Sequence, residues 1–309
     1  SLSMKTSWKD QAGEAKTVVS PVSLVVSAAA PVYDIRNNLL PMFAESVRDS
    51  SLLLIDLGHG KDRLGGSVYS QVTQRFDSVT PDMEDPKELK KFLELIRSLS
   101  AKGAILAYHD RSDGGLAAAL CEMMFASHVG VEIVADALVS KDRTLNQALF
   151  NEELGAVIQV ARGRAAEVER DFEAAGMGWS LKYLGNLTQD DHLNIYLEGK
   201  CVLSEDRVDL QKAWNEVSWQ IARMRDNPEC VDSEYELISD KHNGGLVLTM
   251  GFDPEENLAA PFINTGVRPK VAILREQGVN SQNEMASAFL QAGFDAVDVH
   301  MTDLLEGRA

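Results

Sequence analysis

The chain is short of positive charge, cysteine, histidine and long apolar runs. Thirty Lys and Arg stand against 47 Asp and Glu among 309 residues, a formal net charge of −17. A surface this acidic is a poor partner for nucleic acid, whose binding depends on cationic contacts to phosphate. Cys121, Cys201 and Cys230 are odd in number and widely spaced, which predicts neither a disulfide framework nor a zinc site. Cys121 falls inside an apolar helical pattern and reads as a small buried hydrophobe. The six histidines are scattered, with no pair at metal-ligand spacing on one helix. No serine or cysteine sits in a nucleophile elbow, so no complete hydrolase is expected. The longest apolar run, VSLVVSAAAPV from Val22, is shorter than the roughly 20 residues of a membrane span. With no visible signal peptide, a soluble cytoplasmic protein without membrane partners is expected.

What is present is an alternation of strands and helices. One strand is expected at 22–28. From Leu52 the periodicities predict strand 52–57, helices 67–76 and 87–101, strand 104–108, helix 115–128 and strand 131–134. Strand 156–161, helix 163–175, short strands 193–197 and 201–204 and a helix 206–225 follow. This pattern implies an α/β or α+β fold. Residues 226–267 are acidic and rich in turn formers, with a strand-like island at Leu246–Met250, and read as a linker. The stretch from Pro269 then reads strand, loop, helix, strand, as a βαβ unit begins.

YHDRSDGGL at Tyr108–Leu116 carries the most pointed chemistry. It places two carboxylates at a strand-to-helix junction, where free N–H groups and the helix dipole favour an anion. Gly114 and Gly115 allow a ligand close to the backbone. Asp110 and Asp113 would repel a bare phosphate, and a magnesium ion bound through a carboxylate and phosphate oxygens resolves the conflict. Ser112 then has a phosphate to donate to. The plainer alternatives are a turn residue at Asp110 and an N-cap at Asp113, and capping is the first reading of Asp113.

A second glycine-rich loop, DLGHGKDRLGGSVYSQV at Asp56–Val72, also joins a strand to a helix. It fails the P-loop pattern because Gly66 stands where the lysine must be, and the dinucleotide fingerprint because Arg63 replaces the third glycine. Two readings remain for it, an anion cradle at Gly65, Gly66 and Ser67 with Lys61 and Arg63 nearby, or an ordinary tight turn. Asn151, Glu152 and Glu153, just before the strand in LFNEELGAVIQV, read as an exposed polar loop.

HDRSDGGL, FNEELGAVIQV, WQIARMRDNPEC and LREQGVNSQNEM, in this order, resemble the large, single-chain form of phosphoribosylformylglycinamidine synthase with its fused glutamine amidotransferase. The resemblance implies a ligase of de novo purine biosynthesis that uses ATP and glutamine to convert formylglycinamide ribonucleotide to the amidine. It implies the end of a synthetase-like N-terminal subdomain at 1–50 and a C-terminal, ATP-binding domain like aminoimidazole ribonucleotide synthetase at 51–225. A linker at 226–267 and the start of a class I glutamine amidotransferase domain at 268–309 complete that reading. It assigns Asp110 to a magnesium ion and Ser112 to an ATP or ADP contact, with Gly114 and Gly115 at the same nucleotide.

The resemblance also marks what such an internal piece does not contain. The opening SLSMKT is similar to mid-chain sequence, the other ligands of that nucleotide site lie upstream, and the glutaminase cysteine lies downstream. The chain is therefore expected to be inactive alone and to pack against the remainder of a longer enzyme. The competing readings are a non-catalytic half that supports an active site made elsewhere, and a stand-alone ATP-using synthetase or kinase of the same superfamily. REQGVNS at Arg275–Ser281 argues against the last.

Overall fold

The computed structural model describes residues 5–308 apart from 20–25, 33, 36, 37, 48, 76–78, 242, 244, 258 and 259. The chain divides into two units, Ser1–Lys241 and His242–Ala309.

In the first unit, β1 (Lys5–Lys9) and β2 (Ala15–Val19) form an exposed antiparallel hairpin that the sequence pattern did not announce. Of the strand expected at 22–28, residues 22–25 lie outside the described residues and 26–28 belong to no strand. The regular body starts with β3 (Ser50–Asp56), buried along its whole length, and the short α1 (Val68–Val72). Next come α2 (Pro86–Ala101), β4 (Ala107–Asp110), α3 (Gly115–Ser127), β5 (Gly130–Val134) and α4 (Leu145–Phe150). Then follow β6 (Gly155–Ala161), α5 (Ala165–Ala174), β7 (Leu181–Thr188), β8 (His192–Leu197) and β9 (Lys200–Asp206). The unit closes with α6 (Arg207–Arg225) and α7 (Pro228–Glu236).

Strands β3 to β9 form one seven-stranded sheet in the order β4-β6-β3-β7-β5-β8-β9. Its pairs are antiparallel except β5 with β8. Alternation along each strand sends successive side chains to opposite faces. Leu52 and Leu54 thus join Leu116, Leu120, Met123 and Met124 of α3 on one face. Leu53 and Ile55 join Phe92, Leu95 and Leu99 of α2 and Val168 and Phe172 of α5 on the other. Helix α2 shows how locally the pieces are specified. Asp85 caps it, Pro86 occupies its first turn, and Phe92, Leu95 and Leu99 recur at helical spacing on its buried side. The mixed α/β architecture expected from the sequence is borne out.

Register places the functional end. Asp56, the last residue of β3, pairs with Gly155, and Asp110, the last residue of β4, pairs with Ala156. The C-terminal ends of β3 and β4 therefore flank the start of β6, about 10 Å apart across three strands. Both glycine-rich loops leave the sheet at this end. Gly155 is required there, since a Cβ would stand 2.2 Å from the Ile55 carbonyl oxygen.

Three expectations need correction. The strand expected at 104–108 runs instead from Ala107 to Asp110, because pairing with β6 continues to Ala156. The linker expected from 226 begins with α7, whose Tyr235 ring stacks on Trp219 of α6 at 4.4 Å. The apolar island Leu246–Met250 forms no strand, and Leu246 and Leu248 lie open to solvent because no neighbouring strand meets them.

In the second unit α8 (Ala260–Ile263) precedes β10 (Lys270–Arg275), α9 (Gln282–Gln291), β11 (Asp295–His300) and α10 (Met301–Leu305). β10 and β11 pair in parallel, Lys270 opposite Asp295, as the βαβ reading predicts. Ile273 and Val299 are buried between them, while Leu274 and Val297 are exposed. No helix among the described residues is long and apolar enough to cross a membrane.

Candidate functional site

The two loops are joined by the segment 151–154, which leads into β6. Sequence reasoning took Asn151–Glu153 for an exposed loop, yet Asn151 and Glu153 are almost wholly buried. Glu153 receives both Nε and Nη2 of Arg63, at 2.6 and 2.7 Å, and the Arg63 backbone N–H at 3.0 Å. This pairing raises the pKa of Arg63, chiefly through the Glu153 hydrogen bonds. Asn151 donates to Asp62 and to the carbonyls of Gln147 and Ala148. Asp62 in turn is clamped by Arg143 from Nε and Nη2. These residues are buried because their charges meet partners 81 to 90 positions away, a distance no local pattern reveals.

Glu152 links the two loops directly. Its Oε1 accepts the backbone N–H of Val68, at the start of α1, at 2.9 Å. The same oxygen accepts the N–H of Gly114, at the start of α3, also at 2.9 Å. A carboxylate from the chain thus stands where the sequence suggested an anion. Gly65 N–H is likewise taken by the Val79 carbonyl, and the Ser67 hydroxyl donates to Leu64 O and caps α1. Lys61 pairs with Glu84. Of the two readings of Gly65–Ser67, these internal partners favour the ordinary turn over the anion cradle.

At the β4–α3 junction the arginine turns inward. Arg111 donates from Nη2 to Asp56 at 2.6 Å and to Leu154 O at 3.1 Å, and from Nε to Glu153 O at 2.6 Å. Burial alone would raise the Asp56 pKa, but the Arg111 charge and hydrogen bond outweigh it and hold the carboxyl below its ordinary range. The carboxylates turn outward. Asp110 is exposed, and its Oδ1 accepts the Tyr108 hydroxyl at 2.5 Å. Burial first, and then Asp110, push the Tyr108 pKa upward, so this phenol remains a donor. Ser112 and Asp113 are also exposed. Among the described residues neither side chain has a hydrogen-bonding partner, and no cationic side chain pairs with Asp110.

Asp113 is not the cap expected from its residue type. Gly114 occupies that position in the left-handed region at φ 80° and, lacking a side chain, provides no side-chain cap; its N–H is held by Glu152. Gly115 follows at φ 69°, and a Cβ there would stand 2.6 Å from the Asn151 carbonyl oxygen. Both glycines thus serve the turn and its close approach to segment 151–154. Beside the site, His109 bridges β4 to α3 through Nε2 and Glu122 at 2.9 Å. Cys121 on α3 packs on the core and its thiol is pushed up to about 12 by burial, as an inert small residue.

The donor set is compatible with magnesium. The described residues hold no cluster of three or more His, Cys, Asp or Glu suited to a metal. One exposed carboxylate with an uncommitted oxygen is nonetheless what this ion uses when phosphate and water complete its shell.

Residues 50–198 match the family of the AIR synthase related protein, C-terminal domain, and residues 268–309 match the CobB/CobQ-like glutamine amidotransferase domain. Among solved structures, phosphoribosylformylglycinamidine synthase II from Thermotoga maritima is 12% identical, with a TM-score of 0.44, over 55% of this chain and 26% of that one. PurL of T. maritima complexed with ATP is 13% identical, with a TM-score of 0.43, over 55% of this chain and 26% of that one. HypE of E. coli, a hydrogenase maturation protein, is 20% identical, with a TM-score of 0.37, over 52% of this chain and 49% of that one. The matched region thus spans about a quarter of the length of the first two and half of the third. At such distances the family matches alone assign the domains. Residues 50–198 are thus similar to an AIR-synthase-related C-terminal domain and residues 268–309 to a glutamine amidotransferase domain, the combination implied by the resemblance to phosphoribosylformylglycinamidine synthase.

Proposed function

We propose that this chain is part of an ATP- and glutamine-dependent carbon–nitrogen ligase that converts formylglycinamide ribonucleotide to formylglycinamidine ribonucleotide. Its domain pairing supports this reading, because an ATP-using synthetase fold joined to a glutaminase suits ammonia transfer to an activated amide. In this reading the chain packs against the rest of a longer cytoplasmic enzyme and contributes one side of an ADP–magnesium site. The expected inactivity of the 309 residues alone belongs to the same proposal. Glutamate release from glutamine by the purified chain, above a protein-free blank, would refute that part.

One observation carries the site assignment. The ionised side chains of the loop at 56–68 are neutralised within the fold, whereas Asp110 faces solvent and, among the described residues, pairs with no cation. Asp110 would hold magnesium through the oxygen that Tyr108 leaves free. Ser112 would donate to a phosphate oxygen beside the ion, in front of the turn made by Gly114 and Gly115, whose Gly114 N–H is already taken by Glu152. The ion would supply neutralisation of the phosphate charge next to Asp110 and Asp113. Tyr108, by holding Oδ1, fixes the direction in which the other oxygen points.

Binding to the native state raises stability by RT ln(1 + [L]/Kd), about 2.7 kcal/mol at a hundredfold excess over Kd. Thermal unfolding of the 309-residue chain is therefore expected to shift upward with ADP plus magnesium, and much less with either alone. Identical shifts with and without magnesium would remove the metal from the proposal.

A further inference from the structure

Glu152 has no role in the assignment above, although its side chain contacts backbone N–H groups in both glycine-rich loops. Its Oε1 accepts from Val68 and from Gly114, each at 2.9 Å. The two acceptor bonds belong to residues 84 and 38 positions away. Its neighbours in sequence, Asn151 and Glu153, are buried and tied to Asp62 and Arg63. The backbone on either side of Glu152 is therefore fixed, and its carboxylate is held between the starts of α1 and α3. Gly114 offers α3 no side-chain cap of its own, so the first turn of that helix relies on a residue from another segment.

We infer that Glu152 is a positioning residue for the nucleotide site, a latch that sets the Ser112–Gly114 turn and couples it to the loop ending at Val68. The inference rests on the assignment of Asp110 and Ser112 to that site. The latch works through geometry. A single oxygen receives both N–H groups, so an amide oxygen at the same place can accept them equally, whereas a methyl group cannot. Loss of the latch frees the turn that carries Ser112 and leaves the Gly114 N–H without its acceptor. Ligand at Asp110 and Ser112 then steadies one loop and no longer the other.

The test uses the 309-residue chain, its Glu152→Ala and Glu152→Gln variants, and Asp110→Asn as a reference. Two readouts are taken: the Kd for ADP with magnesium, and amide hydrogen exchange at Val68 with and without that ligand. Glu152→Ala should weaken binding at least tenfold and abolish the ligand-induced slowing of exchange at Val68. Glu152→Gln should restore affinity to within about threefold of the parent and retain the slowing. Equal affinity in Glu152→Ala and the parent overturns the inference, as does equal weakening in Glu152→Ala and Glu152→Gln, which would make charge the operative feature. If Asp110→Asn binds as well as the parent, the site assignment itself fails, and the latch falls with it. If Glu152→Ala does not fold, Glu152→Gln decides alone, since a tenfold loss or an unslowed Val68 in that variant contradicts the geometric role.

Discussion

The two strand-to-helix junctions at the end of this sheet carry similar residues and treat them in opposite ways. The loop after β3 closes its charges on itself and on distant segments: Asp56 on Arg111, Asp62 on Arg143, Arg63 on Glu153 and Lys61 on Glu84. The junction after β4 sends its arginine inward to Asp56 and leaves Asp110, Ser112 and Asp113 facing water. Composition therefore does not separate a closed loop from an open one, because both carry glycine, aspartate and arginine. What separates them is whether each charge finds a partner inside the fold. A buried charge without a partner costs several kcal/mol, so the closed loop has to be complete. The open junction tolerates carboxylates because water solvates them, and the proposed cation would sit there.

The largest effect should follow from opening the closed side. Arg111→Ala leaves Asp56 buried and unpaired, and the expected loss is about 3–5 kcal/mol of stability, read from denaturant midpoints. A loss below about 1 kcal/mol would show that this pair does not secure the loop. The same pair predicts an acid response. The Asp56 pKa is lowered by folding, so its contribution is present above about pH 4, near the ordinary aspartate value. It fades as pH falls through the depressed folded value. In Asp56→Asn the stability curve should lose this part of its slope below about pH 4, and an unchanged slope would assign the acid response elsewhere.

Smaller effects are expected on the open side. Tyr108→Phe removes the hydrogen bond to Asp110 Oδ1, at a cost of about 1 kcal/mol of stability. It should weaken magnesium-dependent ADP binding severalfold without touching binding of ADP alone. Asp113→Ala is expected to be neutral within about 0.5 kcal/mol, because its carboxylate caps nothing; a loss of about 1 kcal/mol would reinstate it as a helix cap.

Much of the scaffold was legible in the sequence, and the reasons are local. β3 shows as an apolar run because both its faces are covered, α2 as a periodic apolar stretch with a recognisable start, and α3 as an almost continuously apolar one. YHDRSDGG stood out in the sequence because a carboxylate at a helix start is chemically conspicuous, and the strand-to-helix junction read there is present. β7 was not, since LKYLGNLT mixes Lys, Gly, Asn and Thr with its apolar residues and owes its strand to pairing with β3 and β5. α7 hid in an acidic stretch that becomes a helix by packing on α6. Glu152 and Glu153 were the costliest misreading. The burial of Glu153 and the anchoring of the half-buried Glu152 depend on partners 38 to 90 residues away, and a pair of glutamates offers no sign of that.

The account stands most directly on a calorimetric titration of the 309-residue chain and its Asp110→Asn variant with ADP, in the presence and absence of magnesium. The expected result is magnesium-dependent binding by the parent chain and at least a tenfold loss in the variant, with unfolding midpoints unchanged between the two proteins. Equal affinity in both would make Asp110 a turn residue and contradict the central claim. Absence of binding by either protein would equally contradict it for this chain, since the open junction would not then hold a nucleotide with the residues it has.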